Sequence, residues 1–255
     1  MQVIINADDF GIGSSVNEAI CECFDRGFIT GTTLMVNMPG ASEAAERAAR
    51  GGFESRVGLH LNLTAGKPLT SGIARLPLFC TDGEYNAAFH LSTATRLRMG
   101  RDLIAALESE LEAQLGSYGS MGFTQGHVDS HHHVHTDRPV WLALKGLARR
   151  HSVTSVRIGR NLYGMERPSL FNRLYKSWLN GSMASAGLGG TDLFGSFEDF
   201  RQAMEAGFFD KRPEATAEIM VHPMYDEDGR LVDTDIPMEE ENELLLSWGC
   251  SRISY

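Results

Sequence analysis

The sequence predicts an α/β fold in which mostly parallel strands curl into an irregular TIM-like (β/α) barrel. Short apolar runs alternate with amphipathic helical stretches along most of the chain, an order typical of a parallel sheet. The first run, MQVIINA at residues 1–7, is almost continuously apolar, as expected of a strand covered on both faces. A length of 255 residues suits one such barrel. We therefore expect residues 1–255 to form a single domain.

Further strands are predicted from similar runs at residues 30–36, 57–63, 123–130, 154–159, 217–223 and 251–255. The run VGLHLNL at 57–63 alternates strictly, so its Val and Leu side chains take one face while His60 and Asn62 take the other. That alternation predicts a strand with one polar face.

Helices are predicted between the strands, at residues 16–27, 41–50, 101–115, 140–150, 196–207 and 238–249. Ser15, followed by Glu18, has the form of a capping box, and Ser196 is the expected N-cap of a later helix. Residues 66–93 read as a long loop, which in a compact domain is usually functional. Residues 160–195 carry no clear pattern.

Composition narrows the classes of partner. The formal net charge of −10 argues against a nucleic-acid partner and is compatible with a neutral sugar. No basic leader and no apolar run of about 18 residues is visible, so we expect neither a signal peptide nor a membrane partner. The four cysteines lack the spacing of metal or redox motifs, which favours reduced thiols in a cytoplasmic protein.

Polar clusters stand where several predicted strands end. They are Asp8-Asp9, His60 with Asn62, the run HVDSHHHVH at 127–135, and His222. Because the carboxyl ends of parallel barrel strands share one face, and that face carries the active site, these clusters should meet in one pocket.

Each cluster also has a plainer interpretation. Asp8 and Asp9 could cap a turn, and His60 or His222 could be a buried histidine that only satisfies its own hydrogen bonds. The histidine run could be a solvated surface segment, although it follows a strand directly and is internal. Five histidines around Asp129 within nine positions favour a ligand or catalytic role for at least one of them.

Imidazoles and carboxylates are the usual ligands of zinc and related ions. An open site uses three protein ligands and leaves a position for water, which becomes acidic on the metal. A spare carboxylate can then act as a base on that water, and a spare histidine can protonate a leaving group. The available side chains therefore suit metal-assisted amide hydrolysis.

Four motifs occur in a specific order: NADDFG, GLHLNLTAGKPL, HVDSHHHVH and EIMVHP, with GCSRISY near the end. Together they resemble the YdjC-type carbohydrate deacetylases, which include the chito-oligosaccharide deacetylases. The resemblance covers residues 1–150 and 216–224. It implies a TIM-like barrel that removes the acetyl group from N-acetylglucosamine units of small oligosaccharides, using one divalent metal ion.

The resemblance also implies roles for individual residues. The metal ligands would be Asp9, His60 and His131. The catalytic residues would be Asp8 as general base and His222 as general acid. Substrate contacts are expected from Asn62, His133 and His135.

Several alternatives remain open at this stage. The same residues would suit a metal-dependent hydrolase of another ester or amide, or a non-catalytic sugar-binding protein with a structural metal. Asp8, which the ligand set does not require, argues against the second of these. The metal could be Mg²⁺ or Zn²⁺. The sequence leaves open the sugar, the role of residues 160–210, and whether the chain forms a homodimer.

Overall fold

A computed structural model describes residues 1–164 and 168–255. The strands are β1 (Gln2–Phe10), β2 (Gly31–Leu34), β3 (Val57–Leu61), β4 (Cys80–Thr81), β5 (Glu84–Tyr85), β6 (His127–Ser130), β7 (Ser155–Val156), β8 (Leu193–Ser196), β9 (Thr216–Val221), β10 (Pro223–Tyr225), β11 (Leu231–Asp233), β12 (Ile236–Pro237) and β13 (Ser251–Arg252).

The α-helices are α1 (Ser14–Asp25), α2 (Ala41–Gly51), α3 (Ser71–Ala74), α4 (Ala88–Leu91), α5 (Thr93–Leu97), α6 (Arg101–Ser120), α7 (Arg138–Ala148), α8 (Leu170–Ser185), α9 (Phe197–Glu205) and α10 (Met238–Ser247). Short 3₁₀ helices lie at Glu54–Arg56, His131–Thr136 and Phe208–Lys211.

The main sheet has the strand order β7-β6-β3-β2-β1-β9-β8, and its neighbouring strands pair in parallel. β13 pairs in parallel with the start of β1. The two edges of the sheet come together, because Val156 N–H donates to the Leu188 carbonyl at 2.8 Å and Leu162 N–H to that of Phe194 at 3.1 Å. The predicted fold class, an irregular TIM-like barrel, is confirmed.

The inside of this barrel is polar. Val57, Leu59 and Leu61 of β3 are fully buried in the hydrophobic core, as the alternation predicts. The intervening His60 points inward, where it meets polar side chains from β1 and β6. A buried polar interior needs internal partners for every charge, so the barrel centre is a natural place for a functional site.

The predicted elements are present; most strands are shorter than predicted, whereas β1 and α6 are longer. Ser196 is the N-cap of α9 and forms a capping box with Asp199, as expected of this residue. The capping box predicted at Ser15 is wrong, because α1 begins at Ser14 and Gly13 is its N-cap without a side-chain hydrogen bond. Residues 160–195, which gave no pattern, contain α8 and most of β8. Within that stretch, residues 165–167 lie outside the described part of the chain.

The cysteines and the helices can be compared with the expectations of reduced thiols and no membrane span. None of the four cysteines, all within the described ranges, forms a disulfide. Over the same ranges, no helix combines the length and apolar character needed to cross a membrane. The division of the chain as one domain over residues 1–255 stays a prediction.

The long segment predicted as a loop at 66–93 contains α3, β4, β5 and α4, and a buried carboxylate anchors it. Glu110 of α6 accepts hydrogen bonds from the backbone N–H groups of Leu69 and Thr70, at 2.9 and 2.8 Å. It also accepts from the Tyr85 hydroxyl at 2.9 Å. One side chain therefore holds the segment at two places, residues 69–70 and residue 85.

Replacing this carboxylate should release the segment. In Glu110→Gln, one acceptor oxygen becomes a donor that faces other donors, so we expect a loss of roughly 2 kcal/mol in the free energy of unfolding. Urea unfolding measures that loss, and limited proteolysis should show new cleavage within residues 66–93. Glu108→Gln, at an exposed position of the same helix, is the control. Equal stability of the two variants would contradict the anchoring role.

Candidate active site

The two aspartates at the end of β1 reach the same site only because the strand is irregular there. Consecutive side chains of a regular strand point to opposite faces. Asp9 has a left-handed φ of 67°, and the pairing of β1 with β2 shifts register between Ala7 and Phe10. This bulge turns Asp9 toward the carboxyl end of the barrel while Asp8 stays inside it.

Asp9, His60 and His131 meet at the mouth of the barrel. Each offers a donor atom, and these atoms all lie within 4.8 Å of one another. His131 Nδ1 is 2.7 Å from Asp9 Oδ1, and His60 Nε2 is 3.1 Å from the same oxygen. His60 is buried, whereas the Asp9 and His131 side chains are 17% and 14% exposed. The three donors thus form a group that is closed on one side and open to solvent on the other.

The orientation of His60 is fixed from behind. Its Nδ1 lies 2.7 Å from Asp129 Oδ1, and Thr33 Oγ1 donates to the other Asp129 oxygen at 3.0 Å. Burial by itself would lower the pKa of His60, but the carboxylates of Asp129, Asp9 and Asp8 outweigh burial and raise it to about 10. The imidazolium is thus held between Asp9 and Asp129.

This arrangement fits a divalent cation. Two imidazoles and one carboxylate with an open side are the donor set of a catalytic zinc site. A carboxylate behind a ligating histidine is a common supporting interaction, since it orients the ring and raises its basicity. Asp9, His60 and His131 could therefore hold a metal, with Asp129 as the partner of His60.

Asp8 faces a different partner. Its two carboxylate oxygens accept hydrogen bonds from Arg157 at 2.7 and 2.6 Å, and Asn6 Nδ2 donates to it at 2.9 Å. Burial works to raise the pKa of Asp8, but the Arg157 guanidinium holds it well below its usual range. Asp8 is therefore ionised at neutral pH.

Arg157 connects Asp8 to two further carboxylates. Its Nη2 lies 2.8 Å from Asp129 Oδ2, and its Nε donates to Glu218 Oε1 at 2.5 Å. The guanidinium carbon also lies 4.8 Å from the centre of the Phe194 ring. All the charged groups of this network are fully or almost fully buried. The cation holds the network together, because buried carboxylates without a partner would be costly.

The histidines of the run at 127–135 lie in different environments. His135 is fully buried: its Nδ1 lies 2.6 Å from Ser130 Oγ and its Nε2 donates to the Arg157 carbonyl at 3.0 Å. His127 lies inside the barrel with its ring stacked on Tyr255 at 3.5 Å. Both geometries favour a role in holding the barrel together. Contact with a substrate, expected of His135, would require one of its two ring nitrogens to leave its protein partner.

His133 lies nearer to the mouth of the barrel than His127 and His135 do. Its backbone is left-handed with a φ of 56°, its ring edge faces Phe194, and its buried Nδ1 has no partner among the described residues. His222 directly follows β9 and is half-buried. Val221 of β9 pairs with Ala7 of β1, so His222 and Asp8 follow neighbouring positions of adjacent parallel strands.

Asn62 organises the loop after β3. Its Oδ1 accepts from the N–H groups of Thr64 and Ala65 at 3.1 and 3.0 Å, and its Nδ2 donates to the Ala65 carbonyl at 2.7 Å. The residue is fully buried. These bonds occupy the amide, so the geometry favours shaping of the loop over the substrate contact expected for Asn62.

Comparison with known proteins adds a second kind of observation. The family model described as "YdjC-like protein" matches residues 2–252. The chain belongs to the YdjC-like family. A carbohydrate deacetylase of Brevibacillus brevis is 33% identical over 96% of this chain and 90% of its own length. One of Halalkalibacterium halodurans is 29% identical over 88% of this chain and 86% of its own length.

A solved structure confirms the fold of this YdjC-like protein. It is described as a "putative cellobiose-phosphate cleavage protein" from Enterococcus faecalis V583 and superposes with a TM-score of 0.73. The match covers 100% of this chain and 97% of that one, at 22% identity. At this identity the likeness concerns the fold.

Sequence reasoning missed two residues of this YdjC-like site, Arg157 and Glu218, and it did not identify the role of Asp129. Arg157 and Glu218 each interrupt an otherwise apolar predicted strand, SVRIG and AEIMV. A charge inside a buried strand needs an internal partner, and that was the available signal. Asp129 stood in the centre of the histidine run, but nothing in the sequence paired it with His60.

The buried histidines should make folding sensitive to acid. Burial, reinforced by Arg157, lowers the pKa of His133 to about 3. An unfolded histidine titrates near 6.5, so below that pH the unfolded chain binds a proton that the folded chain does not, and stability falls with decreasing pH. His133→Gln removes this contribution. Its unfolding free energy should therefore fall less steeply than that of the wild type between pH 6.5 and 4.5, by up to ~1.4 kcal/mol per pH unit.

Urea unfolding at a series of pH values measures both slopes. Other buried groups titrate equally in the two proteins, so the difference between the slopes isolates His133. Parallel slopes would show that His133 already takes up its proton in the folded state.

Proposed function

We propose that this protein is a metal-dependent hydrolase that removes the N-acetyl group from N-acetylglucosamine-type units of small oligosaccharides. The coarser statement, a carbohydrate deacetylase, is supported by the names of the relatives that match most of the chain. The observation that carries the finer proposal is the convergence of Asp9, His60 and His131. The pairing of Ala7 with Val221 places Asp8 and His222 after adjacent strand positions. The unpaired thiols suit a reducing compartment, and we place the protein in the cytoplasm as part of the same proposal.

The ligands in this proposal are Asp9, His60 and His131. A bound divalent ion would polarise the acetyl carbonyl and increase the acidity of a water molecule. Two imidazoles among three ligands favour Zn²⁺ over Mg²⁺, since Mg²⁺ prefers an all-oxygen set. Asp129 and Thr33 would keep the His60 ring in its ligating orientation.

Asp8 is the proposed general base. It is ionised, it lies beside the donor group, and Arg157 fixes the direction of both its oxygens. Its low pKa makes it a weak base, so it could accept a proton only from a water that a bound metal ion would have made more acidic. The water oxygen forms a new bond to the acetyl carbon while Asp8 accepts the water proton.

His222 is the proposed general acid. When the carbon–nitrogen bond breaks, the departing nitrogen needs a proton, and an imidazole is well suited to donate one near neutral pH. Acetate and the free amino sugar are the products. The backbone N–H of His222 donates to Asp233 Oδ1 at 2.7 Å, which fixes the position of this residue at the end of β9.

The adjacent aspartates should respond differently to the same substitution. Asp9→Asn should lose bound metal and activity together. Asp8→Asn should retain metal while kcat for acetate release falls by about 10² or more, because a base would be lost and a ligand would not. Metal content by atomic emission and acetate release from N,N′-diacetylchitobiose measure the two effects. Equal metal loss in both variants would contradict this division of roles.

The acid role of His222 predicts a dependence on the leaving group. In His222→Ala, activity on an N-acetyl sugar should fall by about 10² or more, whereas an O-acetyl ester should lose less, because an alcohol leaves with less help than an amine. Initial rates on both substrates, together with melting temperatures, provide the comparison. Equal losses accompanied by a lower melting temperature would instead indicate a structural histidine.

A further inference from the structure

A cavity opens between α5 and α8. Its volume is about 130 Å³. Its polar lining comes from Arg96, Asp137 and Asn172, and its aromatic lining from Phe171 and Tyr175. This is smaller than the roughly 300–1,000 Å³ of a site that encloses a whole ligand, but the combination of aromatic walls and a few fixed polar groups is typical of such sites. The cavity would therefore hold only part of a ligand.

The polar floor of this cavity is preorganised. Asp137 is buried, and its two oxygens contact His90 Nδ1 at 2.7 Å and Arg96 Nε at 2.6 Å. The Arg96 side chain is 41% exposed. A guanidinium held in place through one nitrogen can present its remaining N–H groups as donors to hydroxyl oxygens.

A short stretch of chain connects this cavity to the candidate active site. The Tyr175 hydroxyl donates to the Thr136 carbonyl at 2.7 Å, and Thr136 ends the 3₁₀ helix that begins at His131. Asp137 follows directly. Six residues cannot span more than ~20 Å even when extended, and the helical turns shorten that distance. One elongated ligand can therefore reach both places.

Aromatic rings extend the cavity along α8. Phe171 and Tyr175 are nearly parallel, with an interplanar angle of 14° and ring centres 6.3 Å apart. Trp178 follows, with its ring centre 5.8 Å from that of Tyr175. Phe171 and Trp178 are 56% and 47% exposed, which is unusual for large rings on a surface helix. We refer to Phe171, Tyr175 and Trp178 as the aromatic stack.

A pyranose ring matches this surface. One face of the ring presents C–H groups that pack on an aromatic ring, while its hydroxyls extend sideways to donors and acceptors. The aromatic stack supplies the rings, and Arg96 with Asn172 supplies polar groups at their edge. A purely apolar partner would leave those polar groups without hydrogen bonds.

We propose that the cavity between α5 and α8, together with the aromatic stack, binds a second sugar ring of the oligosaccharide whose N-acetyl group lies at Asp9, His60 and His131. The inference rests on the proposed function and adds to it a place where chain length is recognised. Under this arrangement the protein prefers a disaccharide or longer substrate to a single N-acetylated sugar.

The test compares N,N′-diacetylchitobiose with N-acetylglucosamine. Phe171→Ala and Trp178→Ala should each reduce the ratio of kcat/KM for the disaccharide to that for the monosaccharide, by about tenfold for one stacking contact. Most of the change should appear in KM. Phe171→Tyr, which keeps the ring, should restore the ratio. Leu174→Ala is the matched control, since it removes a 63% exposed apolar side chain from the same helix but no aromatic ring.

A binding measurement separates this inference from the proposed function. The disaccharide should quench tryptophan fluorescence of the metal-free protein, and Phe171→Ala should weaken that binding by a similar factor. Binding that depends on the stack, without acetate release by the metal-loaded wild type, would contradict the proposed function and leave the subsite standing. Deacetylation with an unchanged ratio in both ring variants would overturn the subsite. The subsite would also be overturned if the protein were a dimer that dissociates in both Phe171→Ala and Leu174→Ala. The exposed face of α8 would then be an interface between two copies.

Discussion

The buried guanidinium of Arg157 is the interaction on which the interior of this barrel depends. It contacts the carboxylates of Asp8, Asp129 and Glu218, which come from three different strands or strand ends. Without a cation at that point, burial would favour the neutral form of each acid. Asp8 would then lose its charge, and Asp129 would no longer attract the proton of His60. The charges at the mouth of the barrel therefore depend on Arg157, which lies deeper inside the barrel.

His60 connects these buried charges to the solvent-exposed side of the site. In the structure its ring lies between Asp9 and Asp129, and their charges raise its pKa to about 10. The arrangement stabilises positive charge at one point, whether that charge is a proton on the ring or, under the proposed function, a divalent ion beside it. Ligand binding by a histidine requires the neutral ring, so metal uptake and proton release are coupled here. Asp129 serves both states, since it accepts a hydrogen bond from Nδ1 in either.

The sequence was sufficient for the fold class and for the groups that meet at the mouth, because strand periodicity and barrel geometry place strand ends together. It was insufficient where a contact depends on closure of the barrel. Arg157 and Glu218 are 61 residues apart, and no local pattern pairs them. Capping motifs predicted one helix start correctly and one wrongly. Ser196 caps α9 with its own side chain, whereas the N-cap of α1 is Gly13 and not Ser15. Residues 160–195 gave no clear pattern because α8 exposes large apolar side chains together with polar ones, so its sequence lacks a distinct polar face.

The different environments of Asp8 and Asp9 follow from backbone geometry. A regular strand would send one of these neighbours out of the barrel. The left-handed φ of Asp9 prevents this, and left-handed φ values recur at His132 and His133 on the opposite side of the mouth. Such conformations cost roughly 1–3 kcal/mol each and persist only where surrounding contacts enforce them. Here the contacts of Asp9 with His60 and His131 do so, while Arg157 holds Asp8. Two chemically identical side chains thus acquire different partners, and that difference allows one to be a ligand and the other a base.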